Sequence, residues 1–237
     1  MAKQSSEKNQ SEIAYEVLRK KLLNREFPPG TRVRYGPLGV EMGMSATPVR
    51  EAIGRLASEG LVDLVPQLGA VVKRPTLSDT TELFEMREAI EPYAAAKASQ
   101  LINSDQLDIL QATIDEMIGL DQSVTTGKVD GQEIAVDFDR ADLKFHQTIL
   151  NAVDNHRMLK VVGDFHLLTE IIGADRHSYN AEVLEKTISD HSEILEGLKQ
   201  RDAELTRNAM MRHVCNSREL TLSLLEEDNP DVTQLSS

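Results

Sequence analysis

The sequence has no tryptophan, a single cysteine, few aromatic residues and no long apolar run. Each shortage excludes something. Cys215 has no second cysteine to pair with, so an intramolecular disulfide is ruled out and a reducing cytoplasm is the expected setting. No stretch approaches the roughly 18 consecutive apolar residues of a membrane span. The polar segment Met1–Ser11 also lacks the apolar centre of a signal peptide. Aromatic residues make up 4% of the 237 residues against 40% hydrophobic overall, so the core has to be largely aliphatic. Cations are scarce as well: the net charge is −13, which disfavours a nucleic-acid partner if the charge is evenly spread. It is uneven. Residues 1–75 carry 12 Lys and Arg against 8 Asp and Glu, net +4, whereas 76–237 carry 14 against 31, net −17. A mildly basic first third joined to a strongly acidic remainder predicts two domains with different partners.

The basic third is organised around residues 45–61, Ser-Ala-Thr-Pro-Val-Arg-Glu-Ala-Ile-Gly-Arg-Leu-Ala-Ser-Glu-Gly-Leu. Ser45 and Thr47 are both candidate N-caps, and Pro48 suits a first helical turn, where its missing N–H has no partner to lose. Val49, Ala52, Ile53 and Leu56 recur at helical spacing as one buried stripe, and Gly60 ends the helix. Glu51 and Arg55, one turn apart, are placed to pair on the solvent side. Ala46, Thr47 and Arg50 are left facing outward. Small or polar groups around one Arg at a helix N-terminus suit a phosphate backbone or a guanine edge.

Residues 1–10 are polar and are expected to be disordered. A helix is expected from Ser11, with Ile13, Ala14, Val17, Leu18 and Leu22 on its apolar face, ended by the turn Phe27-Pro28-Pro29-Gly30. Arg32-Val33-Arg34 reads as a short extended piece. A weak helix around Leu38, Val40 and Met42 leads to a tight turn at Gly43. After the central helix, Leu61–Val65 alternates as a strand, Pro66–Gly69 turns, and Ala70–Arg74 returns as a second strand. Helix, helix, turn, helix, hairpin over residues 11–75 is a winged helix-turn-helix, whose third helix enters the major groove of DNA. Arg32 and Arg34, with Gln67 and Gly69 at the wing tip, are placed to reach phosphate or minor groove.

Pro29-Gly30, Leu38, Gly43, the run Ser45–Leu56, Glu59-Gly60-Leu61 and Gly69 together resemble the DNA-binding domain of the GntR family of bacterial transcription regulators. The resemblance implies that Ser45, Thr47, Pro48 and Arg50 line the DNA surface, with Gln67 and Gly69 in the wing. Ala46 stands where the family usually carries an Arg that reads DNA, and Leu38-Gly39 stands where Leu-Ala is usual.

Residues 76–79 read as linker and helix cap, 80–227 as helices only, and 228–237 as a polar tail. Six helices are expected near 79–101, 105–120, 132–153, 156–174, 180–199 and 202–227, forming an antiparallel bundle. Three of them have polar interruptions on their inward lines. These lines are Ala135, Phe138, Asp142, His146 and Ile149; Leu184, Ile188, His191, Leu195 and Leu198; and Leu205, Ala209, His213, Asn216, Leu220 and Leu224. A buried carboxylate or imidazole is costly unless paired or metal-bound. Asp142 and His146, four residues apart, share a helix face, and His191 and His213 can complete a three-nitrogen, one-oxygen set for Zn²⁺, Ni²⁺ or another borderline cation. The competing reading is that each is a hydrogen-bonded core residue. His166 and His177 lack such company and read as ordinary residues, His156 as a surface residue at a helix start, and Cys215 as facing away from His213.

Phe84–Pro92 with Ala94–Ala96, Asp142 with Phe145-His146, Asp190-His191 and Met211-Arg212-His213 resemble the FCD ligand-binding domain of the FadR subfamily of GntR regulators, over about residues 78–226. The resemblance implies a divalent metal on Asp142, His146, His191 and His213, with a small carboxylate effector near it. The six-helix count points to the VanR-like branch. Arg87, in an apolar helix, either clamps that carboxylate or pairs with Glu88, Glu91 or a neighbouring helix. Arg176 and Asn216 are further effector candidates. The expected protein is a homodimeric regulator, a repressor by analogy, reading a palindromic operator in double-stranded DNA. The rival is a metalloenzyme on the same Asp and His residues, which lacks a catalytic His-Glu-x-x-His spacing or a nucleophile motif.

Overall fold

The structure, a computed structural model, describes residues 2–24, 26–66, 68–74, 76–173 and 180–227. It divides into two compact units, one of residues 1–75 with 170–175 and one of 76–169 with 176–237.

In the first unit the chain runs α1 (Ala2–Leu23), β1 (Arg32–Val33), α2 (Tyr35–Glu41), α3 (Ala46–Ser58), β2 (Val62–Val65) and β3 (Gly69–Val72). Helix α1 begins well before Ser11, because residues 2–10 are polar but contain no Gly or Pro to break a helix. Its buried stripe is Ala14, Tyr15, Leu18 and Leu22, while Ile13 is turned outward. Gly39 makes the helix-turn-helix possible. A Cβ there would lie 2.8 Å from the Met44 carbonyl oxygen, so α2 closes onto the turn backbone to backbone. The glycine that weakens α2 as a helix is what lets it pack. Helix α3 buries Pro48, Val49, Ala52, Ile53 and Leu56 as its spacing predicts. Gly60 stops it in the left-handed region at φ 78°, and the Leu61 N–H returns to the Leu56 carbonyl at 3.0 Å.

Two further expectations for this unit change. Arg55 turns to α1 rather than to Glu51. Its guanidinium lies 2.9 Å from Glu12 and 3.2 Å from Glu59 and 3.6 Å from the Tyr15 ring centroid, with the Tyr15 hydroxyl donating to Glu59 at 2.9 Å. The pair thus ties α1 to α3 instead of decorating α3. The extended piece Arg32–Val33 is a strand of its own, so the wing is a three-stranded antiparallel sheet in the order β1-β3-β2. Arg32 faces Val71 and Val33 faces Ala70; across β2, Val62 faces Val72 and Val65 faces Gly69. Val33 and Ala70 are both buried, which gives so short a strand something to cover.

The second unit holds α4 (Leu77–Leu101), α5 (Ser104–Thr125), α6 (Gly131–Ala152), α7 (His156–Gly173) as far as Thr169, α8 (Ala181–Lys199) and α9 (Ala203–Glu227). Capping boxes start three of them: Thr76 with Asp79, Asn103 with Gln106, and Asp130 with Glu133. Helix α4 packs along α9, α8 lies against both α9 and α5, and α6 against α5 and α4. Phe84, Phe145, Ile194, Leu198, Met210 and Val214 form the larger core, and Met117, Ile134, Phe138 and Leu184 a second one. The inward stripe of α9 matches the sequence reading at Ala209 and His213, which are buried, and differs from it elsewhere. Thr206, Met210, Val214, Thr221 and Leu225 are buried, while Leu205 is 37% exposed. A leucine need not be inside, and the true stripe drifts by one position over the length of the helix. The break expected at Ser178–Asn180 and the tail 228–237 lie largely outside the described residues. Among those residues, no helix is long and apolar enough to cross a membrane.

Candidate functional site

Three helices of the second unit bring four side chains to one point. Asp142 and His146 stand one turn apart on α6, His191 comes from α8 and His213 from α9. Each sits beside buried apolar neighbours of its own helix: Phe138 and Ile149, Leu195 and Leu198, Ala209 and Val214. One ligand-type atom from each lies within 4.8 Å of the others. His146 Nε2 is 3.1 Å from His213 Nε2 and 3.5 Å from His191 Nε2. Asp142 Oδ1 is 3.3 Å from His191 Nε2 and 3.9 Å from His146 Nε2. The three rings are buried, and the Asp142 side chain, 25% exposed, forms the wetter edge.

Three ring nitrogens aimed at one another cannot all carry protons, so lone pairs converge there. Burial, reinforced by the neighbouring imidazoles, holds His191 well below the ordinary histidine value. Burial also lowers His213 against the pull of Asp190. Burial would raise the Asp142 carboxyl, but His146, His191 and His213 outweigh it and hold it below the usual carboxylate range. Imidazole nitrogens around an ionised carboxylate are a donor set that fits a divalent cation of borderline softness.

A second layer surrounds these four. Glu91 on α4 is 2% exposed; its Oε2 is 2.7 Å from His146 Nδ1 and its Oε1 accepts from Arg87 Nε at 2.6 Å. The His146 contact lies off the hydrogen-bond line, since neither atom has a partner of good geometry. His166 on α7 is buried with Nε2 3.3 Å from Glu91 Oε1 and Nδ1 3.9 Å from Asp142 Oδ2. Burial, then the Arg87 guanidinium, push it down to about 4. Burial would raise the Glu91 carboxyl, yet Arg87, His166 and His146 keep it well below the ordinary value. Behind His213, Asp190 Oδ2 stands 3.8 Å from Nδ1 and accepts from Asn216 Nδ2 at 2.8 Å.

The sequence reading missed Glu91 and His166 as parts of this centre and treated His166 as ordinary. The signals were present: Glu91 follows Arg87 by one helical turn, and His166 follows buried Val162 by another. Glu91, His146 and His166 also lie within 4.8 Å of one another. They are poorly suited to a second cation beside the first, because His146 is shared and the Arg87 guanidinium already occupies Glu91. Of the effector candidates, Arg87 is 3% exposed and engaged with Glu91, the internal pairing that competed with effector contact. Asn216 lines a groove of about 300 Å³ between α8 and α9 with Lys186, Asp190 and Ser217. Arg176, like His177, lies outside the described residues. His156 is exposed, as expected.

In the first unit, Arg34, Ser45, Thr47 and Arg50 are exposed. The Arg50 guanidinium stands 5.4 Å from the Tyr35 ring centroid, and a concave surface joins Arg32, Arg34, Tyr35 and Arg50 to Leu68 and Gly69 in the wing. Arg32 Nε donates to the Leu68 carbonyl, fixing the wing turn to β1. Ser45 occupies the N-cap of α3 without a side-chain capping bond, and Thr47 lies inside the first turn. Pro48 corrects the expectation that it lines the outer surface: it is buried on the same side of α3 as Val49, where its ring fills core rather than facing a ligand. Gly69, half-buried, has φ 93°, and Gln67 lies outside the described residues.

The comparisons with known proteins match both units. Residues 82–216 match the FCD domain model, and residues 10–72 match the model of bacterial regulatory proteins of the gntR family. The HTH-type transcriptional regulator YdhC of Bacillus subtilis is 25% identical over 217 residues, 90% of this chain and 91% of that protein. The HTH-type transcriptional repressor RspR of Escherichia coli is 24% identical over 225 residues, 91% and 90% of the two chains. Among solved structures, Escherichia coli McbR/YncC superposes with a TM-score of 0.74 at 20% identity, covering 92% of this chain and 98% of that one.

Proposed function

The chain belongs to the GntR family of bacterial regulatory proteins and carries an FCD domain, and from that premise we propose that it is a metal-dependent, ligand-responsive repressor. The family and the relatives are transcription regulators, not enzymes, so the metalloenzyme reading is set aside. Regulators of this family bind DNA. In this chain the recognition surface is the first turn of α3, where Arg50 supplies the reading group. Ser45 and Thr47 supply smaller polar contacts, and Arg34 and the wing supply phosphate contacts.

The observation that carries the reading is the convergence of Asp142, His146, His191 and His213 within 4.8 Å. These four would hold a divalent cation, Zn²⁺ or Ni²⁺ first, which when bound supplies a Lewis-acid anchor for a small organic acid. The residues do the rest. Asp142 gives the charge, the three imidazoles give fixed nitrogen donors, and the buried α6, α8 and α9 stripes keep the geometry rigid. Repression is supported by the similarity to RspR, a transcriptional repressor. The protein acts in the cytoplasm as a homodimer, so that two α3 helices read the two halves of a palindrome. An effector then changes DNA affinity only to the extent that it prefers one arrangement of the dimer.

The test is selection from random duplex DNA followed by gel shift, with Zn²⁺, Ni²⁺ or a chelator present, alongside elemental analysis of the purified protein. A single enriched palindrome whose binding changes with metal and a small dicarboxylate or hydroxy acid is the expected result. Selection that enriches no sequence under any condition would sink the proposal.

A further inference from the structure

We propose that Glu91 is the positioning residue of the metal centre, holding His146 in the tautomer protonated on Nδ1 so that Nε2 turns a bare lone pair toward Asp142, His191 and His213. The inference rests on the metal reading above and goes beyond the four ligands to the group that sets one of them.

The argument begins with what surrounds Glu91. It comes from α4, a helix that supplies none of the four ligands, and it is 2% exposed. Its two oxygens face different groups. Oε1 takes the Arg87 Nε at 2.6 Å and lies 3.3 Å from His166 Nε2, while Oε2 is 2.7 Å from His146 Nδ1. With a guanidinium fixed on one side, the carboxylate stays ionised and has no proton to give. It can only accept. A neutral imidazole facing such an oxygen puts its single proton on the facing nitrogen. The two atoms are at hydrogen-bonding distance, 2.7 Å, though off the hydrogen-bond line.

His146 is the ring where this matters. Its Nε2 is 3.1 Å from His213 Nε2 and 3.5 Å from His191 Nε2, so it is central to the three. The other two rings have weaker backing. Asp190 is 3.8 Å from His213 Nδ1 and shared with Asn216, and His191 Nδ1 has no hydrogen-bond partner. Arg87 then acts through Glu91, as the charge that keeps it an acceptor, and not as a clamp on the effector. Outer carboxylates of this kind raise the basicity and fix the orientation of a ligating imidazole.

Two measurements test this. In metal-free wild-type protein labelled with ¹⁵N-histidine, long-range ¹H–¹⁵N correlation reads the tautomer of each ring, and His146 is expected with its proton on Nδ1. Co²⁺ affinity is then measured by chelator competition for wild type, Glu91→Ala and Glu91→Gln, with urea midpoints of the metal-free proteins as the folding control. Loss of the outer carboxylate is expected to weaken Co²⁺ binding by about 10–100-fold. Glu91→Gln, whose amide can donate, is expected to move the His146 proton to Nε2, a signature that mere loosening of the core does not produce. A wild-type His146 protonated on Nε2, or folded variants whose Co²⁺ affinity stays within about threefold of wild type, would overturn the proposal. Should both variants fail to fold, the wild-type tautomer decides alone. Should wild type take up no Co²⁺, the metal reading of the preceding subsection falls, and the tautomer still decides the role of Glu91.

Discussion

Gly197 is a point where the helical unit tolerates an added methyl group poorly, and the consequence can be worked through. An ideal Cβ at Gly197 on α8 would lie 2.6 Å from Thr206 Oγ1, 2.9 Å from Thr206 N and 3.0 Å from Thr206 Cα on α9. The hydroxyl is not free to swing aside, since it donates to the Asp202 carbonyl at 2.5 Å, and the Thr206 N–H donates to the same carbonyl at 3.0 Å. Ordinary carbon contacts sit near 3.5–4.0 Å, so Gly197→Ala requires α8 and α9 to part by about 0.5–1 Å. Overpacking of that size costs roughly 1–3 kcal/mol, against about 1 kcal/mol gained from the better helix propensity of Ala. The net expectation is a loss of about 1 kcal/mol. Gly119, exposed on α5 with nothing within 4 Å of its ideal Cβ, is the matched control. There the propensity gain of about 1 kcal/mol stands alone, so the two variants should differ by about 2 kcal/mol. Urea unfolding of the metal-free proteins, compared at equal slope, measures the difference. The strain also falls between the helices that carry His191 and His213, so Gly197→Ala should weaken metal binding and Gly119→Ala should not. Equal stability of the two variants would show that the α8–α9 crossing is softer than its backbone contacts imply.

Three further outcomes are expected. His166 titrates near 6.5 when unfolded and is pushed down to about 4 when folded, by burial and then by Arg87. The unfolded chain therefore takes up the proton first, and stability is lost as pH falls from about 6.5 toward 4. His166 alone contributes about 3 kcal/mol to that loss, visible as a falling melting temperature of metal-free protein across this window; a flat profile would contradict the buried neutral ring. Replacing Arg50 by Ala should weaken specific operator binding by on the order of 1–3 kcal/mol and relax sequence preference at one position, checked by gel shift against point-mutated operators; unchanged affinity would mean that Arg50 serves only to cover Tyr35. His146→Ala should abolish stoichiometric metal in elemental analysis and any metal-dependent rise in melting temperature, while leaving α1–α3 and the wing intact by circular dichroism; retained metal would place the ion elsewhere.

The elements whose periodicity is local were legible in the sequence, and those that depend on tertiary contact were not. The stripe Val49, Ala52, Ile53 and Leu56 is fixed by spacing alone and is buried as read. β1 was not legible as a strand, because two residues carry no period. Only pairing with β3, which buries Val33 against Ala70, gives it one. The Arg55 partner was misassigned for the same reason. Glu51 is near in sequence, but Glu12 and Glu59 are near in space, and the Tyr15 ring holds the guanidinium over α1. Gly39 is poor in helix propensity yet sits inside α2. Its close approach to Met44 explains why a residue poor in propensity is the one that fits.

The candidate centre shows the same division within a few ångströms. Asp142, His146, His191 and His213 were readable because each is a polar residue on an otherwise apolar line, and a lone polar group in a core demands a partner. Arg87 stood out in its apolar helix with Glu91 among its candidate partners, but the place of Glu91 beside His146 was not legible. Two opposite charges one helical turn apart look like a solvated surface pair, the commonest arrangement on any helix. What distinguishes them is burial, at 3% and 2% exposure, and burial belongs to the packing of α4 against α9 and α6, not to α4. A buried ion pair is weak evidence for stability on its own, because removing both charges from water costs several kcal/mol. Its presence beside His146 is therefore better explained by what the carboxylate does for the imidazole than by what the pair does for the fold. Replacing both partners together by apolar residues of similar size, Arg87→Met with Glu91→Leu, separates the two explanations. The fold should survive or gain stability while Co²⁺ affinity falls, and a variant that unfolds outright would assign the pair to the fold instead.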